Sequence, residues 1–159
     1  MGAITKVVVR FSTPFWRDRG LAGSAFSHVG PMGEIHDMSG KDGTPAALFG
    51  FVPPSPSGRP TIGRKEVLHQ LVDIFGQDAA DPEEVVIHDW RDETYTSPPE
   101  GEKLQAYELF GNPCYTVPAL DGRLHWASTE TSAIYPGHIE GALAAADRAA
   151  HAVIDAVRS

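Results

Sequence analysis

HWASTETSAIYPGHIEGALAAADRAA, residues 125–150, decides how the rest of the chain is read. An apolar start at Trp126 and Ala127 gives way to Ser128-Thr129-Glu130-Thr131-Ser132. Pro136-Gly137 follows, and then an alanine-rich amphipathic run. A strand that ends in Ser and Thr and passes through Gly into a helix leaves backbone N–H groups free at the positive end of the helix dipole. Glycine at 137 lets a ligand approach the backbone closely. On residue chemistry alone, the same pattern also suits an ordinary capped helix start with no ligand.

Working outward, the final helix is expected over about 136–157. Its apolar positions are Ile139, Leu143, Ala146, Ala150, Val153 and Val157. Asp121-Gly122 marks a turn, and Leu124 to Ala127 reads as the last strand. At the other end, the β-branched run Val7-Val8-Val9 makes residues 4–12 a largely buried strand. Shorter strands are expected at 21–28 and 34–38, and another buried one at 46–52. Glu66, Val67, Leu68, Leu71, Val72 and Phe75 have helical spacing, with Gly63 as N-cap, Glu66 as its capping partner and Gly76 as the stop. Val85-Val86-Ile87 forms a strand ending at His88-Asp89-Trp90. Residues 53–60 and 96–104 read as loops. The expectation is α+β: a mixed sheet with a packed helix, plus a C-terminal strand-turn-helix. That last strand and helix make only half of a βαβ unit.

The 159 residues suit one domain with a real core. Apolar residues make up 42% and charged residues 21%, both ordinary for a folded protein. A net charge of -8 argues against binding nucleic acid backbones or anionic lipid. No apolar run approaches the ~20 residues of a membrane span, and the start is too short in apolar residues for a signal peptide. One cysteine, Cys114, rules out an internal disulfide framework and reads as a free thiol. The seven histidines show no metal-ligand spacing, so no metal is expected. The expected compartment is the cytoplasm.

The 125–150 stretch resembles the C-terminal signature of the flavin-dependent monoamine oxidase family, a His-Phe-Ala-Gly-Thr-Glu-Thr-Ala run followed by Gly-Tyr-x-Glu-Gly-Ala. Met1-Gly2 and Lys6, an apolar strand, and then Pro14-Phe15-Trp16-Arg17 resemble another family segment. LFGFV, the helix before FGQ and the Trp90–Tyr95 segment follow in the same order, so the resemblance covers almost the whole chain. Family members are much longer, and only their last third or so is matched. The sequence contains no G-x-G-x-x-G, the turn that would hold the adenosine half of FAD.

The resemblance implies that residues 1–120 belong to a substrate-binding domain and 121–159 to the last segment of an FAD-binding domain. It implies non-covalent FAD, bound only with a missing N-terminal portion or partner chain. The activity implied is oxidation of a primary amine or polyamine by hydride transfer to flavin, with O2 as acceptor; the isolated chain would be inactive. Ser128 and Thr129 would approach the pyrophosphate and ribityl, with Glu130 in the same turn. Gly137, His138 and Ile139 would approach the flavin ring, with Trp90 beside it. Lys6 would hold a water at the flavin N5. By its residue type alone, Lys6 also suits a stem that packs while its head reaches water.

The family's two cage tyrosines fall here on Glu100 and His138. With Tyr135, these are the expected substrate contacts, suited to a polar or cationic amine such as a diamine. Pro99 stands where covalently flavinylated members carry cysteine, so a thioether there is excluded. Self-association is also expected, through surface left by the missing portion. The alternative reading is a non-catalytic binding or assembly domain of the same ancestry.

Overall fold

The computed structural model describes residues 4–53, 62–93, 95 and 110–158. They fall into two compact units, Met1–Leu104 and Gln105–Ser159.

The valine run of the first unit forms β1 (Thr5–Phe11). Thr5, Val7, Val9 and Phe11 are buried, while Lys6, Val8 and Arg10 take the other face. This period-two alternation is what a sheet with one covered face requires. After a single helical turn, α1 (Phe15–Asp18), come β2 (Ala25–Phe26), β3 (Glu34–Asp37), β4 (Ala46–Val52), α2 (Arg64–Phe75) and β5 (Glu84–Asp89). The sheet runs β2-β3-β4-β1-β5. Every described pairing is antiparallel, where the sequence suggested a mixed sheet. The reason lies in the placing of β1. The α2 crossover joins β4 and β5, which run in the same direction, but β1 lies between them and pairs with both.

Helix α2 buries Val67, Leu71 and Phe75 against a core that includes Val7, Val9, Leu48 and Ile35. Each such side chain contributes about 1.5–3 kcal/mol when fully buried. Its start is as expected: the Gly63 N–H donates to the Glu66 carboxylate at 3.1 Å. Gly76 ends it with φ 91°, its N–H donating to the Val72 carbonyl at 2.8 Å. Gln70, also buried, donates from Nε2 to the carbonyls of Val29 (2.8 Å) and Met32 (2.7 Å). Its Oε1 accepts from the Met32 N–H at 2.9 Å. The 29–32 loop is thereby fixed to the helix. The strand expected at 21–28 shrinks to Ala25–Phe26, because Gly23 (φ 67°) turns the chain beneath Trp16 and Asp37.

In the second unit, residues 124–127 do not form the expected strand. Only Leu124 pairs, with Ala119, across a turn of positive φ at Leu120, Asp121 and Gly122. A strand needs a neighbour, and the described residues of this unit supply one bridge. The final helix, α3 (Ile139–Arg158), starts three residues later than Pro136. Tyr135 (φ 50°) and Gly137 (φ 82°) are both left-handed and cannot belong to a right-handed helix. Gly141, Ala145 and Ala149 are its buried residues, one small residue per turn, and α3 packs against a 3₁₀ turn at Thr129–Thr131. Among the described residues, no helix is long and apolar enough to cross a membrane.

Candidate functional site

Lys6 lies on the sheet face opposite the core. The register sets it directly across from Phe51 on β4 and His88 on β5. Its ammonium stands 4.8 Å from the centroid of the Trp90 ring and 5.9 Å from that of Phe51. Cations over aromatic faces in this range gain about 0.5–1 kcal/mol at exposed positions. Trp90 follows β5 directly. Its backbone N–H donates to the Ile4 carbonyl at 3.1 Å, so the edge strand and β1 both hold it. The His88 ring meets the indole edge-on at 5.1 Å, and His88 Nε2 pairs with Glu93 at 3.1 Å. Trp90 Nε1 is buried and has no hydrogen-bond partner among the described residues. A donor in that condition costs about 1–3 kcal/mol until an acceptor reaches it.

The second cluster is built wholly within the second unit. Thr129 Oγ1 donates to the His138 carbonyl at 2.7 Å, tying the Thr-Glu-Thr turn to the start of α3. Thr131 Oγ1 donates to the Ser128 carbonyl at 2.7 Å, and the Gly111 N–H to the Glu130 carbonyl at 2.8 Å. Arg148, on α3, donates to the Trp126 carbonyl (3.0 Å) and to Thr131 Oγ1 (3.1 Å). At Gly141 a Cβ would collide with the Tyr135 carbonyl and lie 3.0 Å from Thr129 Oγ1. Only glycine lets the turn and the helix approach this closely. The His138 N–H donates to Tyr135 and the Ala142 N–H to His138. The amides of Ile139, Glu140 and Gly141 precede the helical ladder and have no acceptor within it.

The structure therefore gathers Ser128, Thr129, Glu130, Gly137, His138 and Ile139 into one locked turn-and-helix start. Lys6 and Trp90 are brought together in the first unit. Tyr135 is exposed on the 135–138 turn, and the His138 ring turns back to the Pro136 carbonyl at 3.2 Å. Glu100 lies outside the described residues. Sequence reasoning missed Phe51, His88 and Glu93 around Lys6, since only the strand register sets them there. It also missed Gly141, whose place in Glu140-Gly141-Ala142 was the available signal.

Each cluster, taken by itself, has groups that fit part of a flavin. Three helix-start amides outside the helical ladder suit its phosphate or carbonyl oxygens, and Trp90 Nε1, unpartnered among the described residues, suits an acceptor atom near Lys6. Elsewhere in the first unit, Asp37 accepts from Trp16 Nε1 (2.9 Å), Arg17 Nε (2.7 Å) and the Ser39 N–H (2.7 Å). Burial alone would raise its pKa, but the bonds from Arg17, Trp16 and Ser39 outweigh burial and hold the carboxyl well below the usual carboxylate range. It is a structural clasp between α1 and the end of β3.

The first unit thus carries a lysine over an indole on an antiparallel sheet, and the second a tight turn-and-helix start. The family model for flavin containing amine oxidoreductases matches residues 1–154, and the chain belongs to that family. A probable flavin-containing monoamine oxidase A of Dictyostelium discoideum is 30% identical over 98% of this chain and 35% of its own. A putative flavin-containing monoamine oxidase AofH of Mycobacterium tuberculosis is 31% identical over 94% of this chain and 33% of its own. Among solved structures, cyclohexylamine oxidase from Brevibacterium oxydans superposes with a TM-score of 0.72 at 26% identity. It covers all of this chain, which spans 36% of that one. Putrescine oxidase, at 22% identity and a TM-score of 0.71, shares the fold. The chain thus spans about a third of the length of the relatives it matches.

Proposed function

We propose that this chain is the C-terminal portion of an FAD-dependent amine oxidase, working with a dinucleotide-binding portion and inactive alone. Residues 1–120 would belong to its substrate-binding domain and 121–159 to its FAD-binding domain, in a cytoplasmic protein. The observation that carries this is the second-unit cluster. A Thr-Glu-Thr turn is locked to a helix start whose first three amides precede the helical ladder, within a chain matched by the family model along nearly its whole length.

When bound, FAD supplies the two-electron acceptor for oxidising the amine and passes the electrons to O2. The chain's own residues position and polarise. The amides at 139–141 present fixed dipoles where negative charge develops on reduction. Lys6 holds a positive charge and a water, and Trp90 Nε1 offers a second donor. By the family resemblance, His138, Tyr135 and Glu100 would be the substrate contacts, and an imidazole and a carboxylate would favour a polar or cationic amine such as a diamine over an apolar one. FAD would be held without a covalent link, since Pro99 has no nucleophile.

The test is anaerobic addition of a diamine and of a monoamine to the chain assembled with its dinucleotide-binding portion and FAD. Loss of the oxidised flavin's visible absorbance on adding amine supports the reading. Bound flavin that neither amine bleaches would leave a non-catalytic assembly domain instead.

A further inference from the structure

Arg148 shares the face of α3 that carries the buried Gly141 and Ala145, the face that meets the Thr129–Thr131 turn. It is half-buried, and among the described residues its hydrogen-bond partners are both neutral: the Trp126 carbonyl at 3.0 Å and Thr131 Oγ1 at 3.1 Å. A charge drawn out of water is ordinarily met by an opposite one. Here a whole positive charge faces two dipoles, in a chain whose net charge is -8. Both bonds come from Nη2, so one nitrogen holds the lead-in to the turn and its last residue together. Thr131 Oγ1 passes its own hydrogen on to the Ser128 carbonyl at 2.7 Å, and that carbonyl also accepts the Thr131 N–H at 3.0 Å.

A hydrogen-bonded chain therefore runs from Arg148 through Thr131 to the Ser128–Thr129 peptide. In a trans peptide the C=O and N–H point in opposite directions across one plane. Drawing the Ser128 carbonyl toward Arg148 sends the Thr129 N–H out on the far side. The turn's own bonds run from the Thr131 and Ser132 amides back to Ser128 and Thr129, so the Thr129 N–H takes no part in them. Linked hydrogen bonds polarise one another, and a cation at the head of the chain makes the amide at its end a stronger donor. We infer that Arg148 is a positioning residue for the cofactor's phosphates: acting through Thr131 and the Ser128 carbonyl, it aims and strengthens the Thr129 N–H as a phosphate donor. Through the Trp126 carbonyl it fixes the Ala127 N–H in the same way. The inference rests on the reading that this turn approaches FAD.

Two measurements test it. In the chain alone, Arg148→Gln should move the NMR amide nitrogen resonances of Ala127 and Thr129, whose preceding carbonyls lose the guanidinium or its relay. Ile139 should not move, because its preceding carbonyl is held by Thr129 Oγ1 instead. In the protein assembled with its dinucleotide-binding portion, Arg148→Gln should weaken FAD binding about tenfold, the worth of one hydrogen bond to a charged group. Arg148→Lys keeps a charged donor and should recover most of that loss, with thermal unfolding before FAD is added unchanged in both variants. Unmoved resonances at Ala127 and Thr129 overturn the inference without any flavin present. So does weaker FAD binding that tracks a lowered unfolding transition and is as severe in Arg148→Lys, which would leave a merely structural tie. If the parent holds FAD and Arg148→Gln holds it equally well, the inference fails and the cofactor reading stands. If the assembled parent holds no FAD, both fall together.

Discussion

Asp37 shows how much one half-buried carboxylate can hold together. Its oxygens accept from an indole, a guanidinium and a backbone amide, joining α1 to the end of β3. Asp37→Asn keeps the size but removes the charge that strengthens the Arg17 bond. Hydrogen bonds to charged groups are worth about 1.5–3 kcal/mol, so the variant should lose about 2 kcal/mol by urea denaturation at neutral pH. The pH dependence follows from the direction of the shift. The folded pKa lies below the unfolded value of 3.8, so the contribution is complete well above pH 4. It is lost as pH falls from there through the folded value. The Asn variant should show a shallower loss of stability on acidification below about pH 4; an equally steep one would remove Asp37 from the account.

The role proposed for Lys6 can be tested only in an FAD-loaded protein. With FAD bound, Lys6→Met should slow flavin reoxidation on the order of a hundredfold, the usual cost of one preorganised group. In the chain alone it should cost no more than about 1 kcal/mol, the worth of its cation–aromatic contacts. Stopped-flow reoxidation at an unchanged rate would leave a lysine that only packs its stem on Phe51 and Trp90.

At the scale of elements, what was legible depended on whether the signal was local. β1, β4 and α2 are where the apolar runs and the Gly63–Glu66 pair put them, because burial period and capping are written in adjacent residues. The strand at 124–127 was not legible: its apolar residues look strand-like, but pairing needs a distant neighbour. The start of α3 was misplaced because nothing local announces that Tyr135 adopts positive φ. The aromatic surroundings of Lys6 depend on register across three strands, a non-local quantity. Gly141 belongs to this scale as well, since its role is to let two elements touch. Gly141→Ala would gain helix propensity in the first turn of α3. It would lose more, because the methyl meets backbone at Tyr135 that cannot swing aside. Overpacking of this kind costs about 1–3 kcal/mol. Thermal unfolding followed at the helical signal should fall by several degrees, and an unchanged transition would show that the turn yields freely.

At the scale of the whole molecule, the deciding fact is what the donors lack. A bound dinucleotide needs acceptors met along its full length, and the affinity must exceed the cost of ordering it. The α3 start offers three amides, and Lys6 and Trp90 offer two more donors. The 159 residues contain no glycine-rich turn of the G-x-G-x-x-G kind for the pyrophosphate. Freezing so long a ligand against a partial cradle leaves most of its phosphate charge in water, so the ordering cost is not recovered. The purified chain is therefore expected to carry far less than one equivalent of FAD and to gain little when FAD is added. The readout is visible flavin absorbance per chain after desalting, with thermal stability in excess FAD as a second measure, since tight binding to the folded form alone must raise it. Absorbance near one equivalent, together with a raised transition, would mean that the turn and helix start suffice alone. The dinucleotide-binding portion would then be dispensable for holding the cofactor.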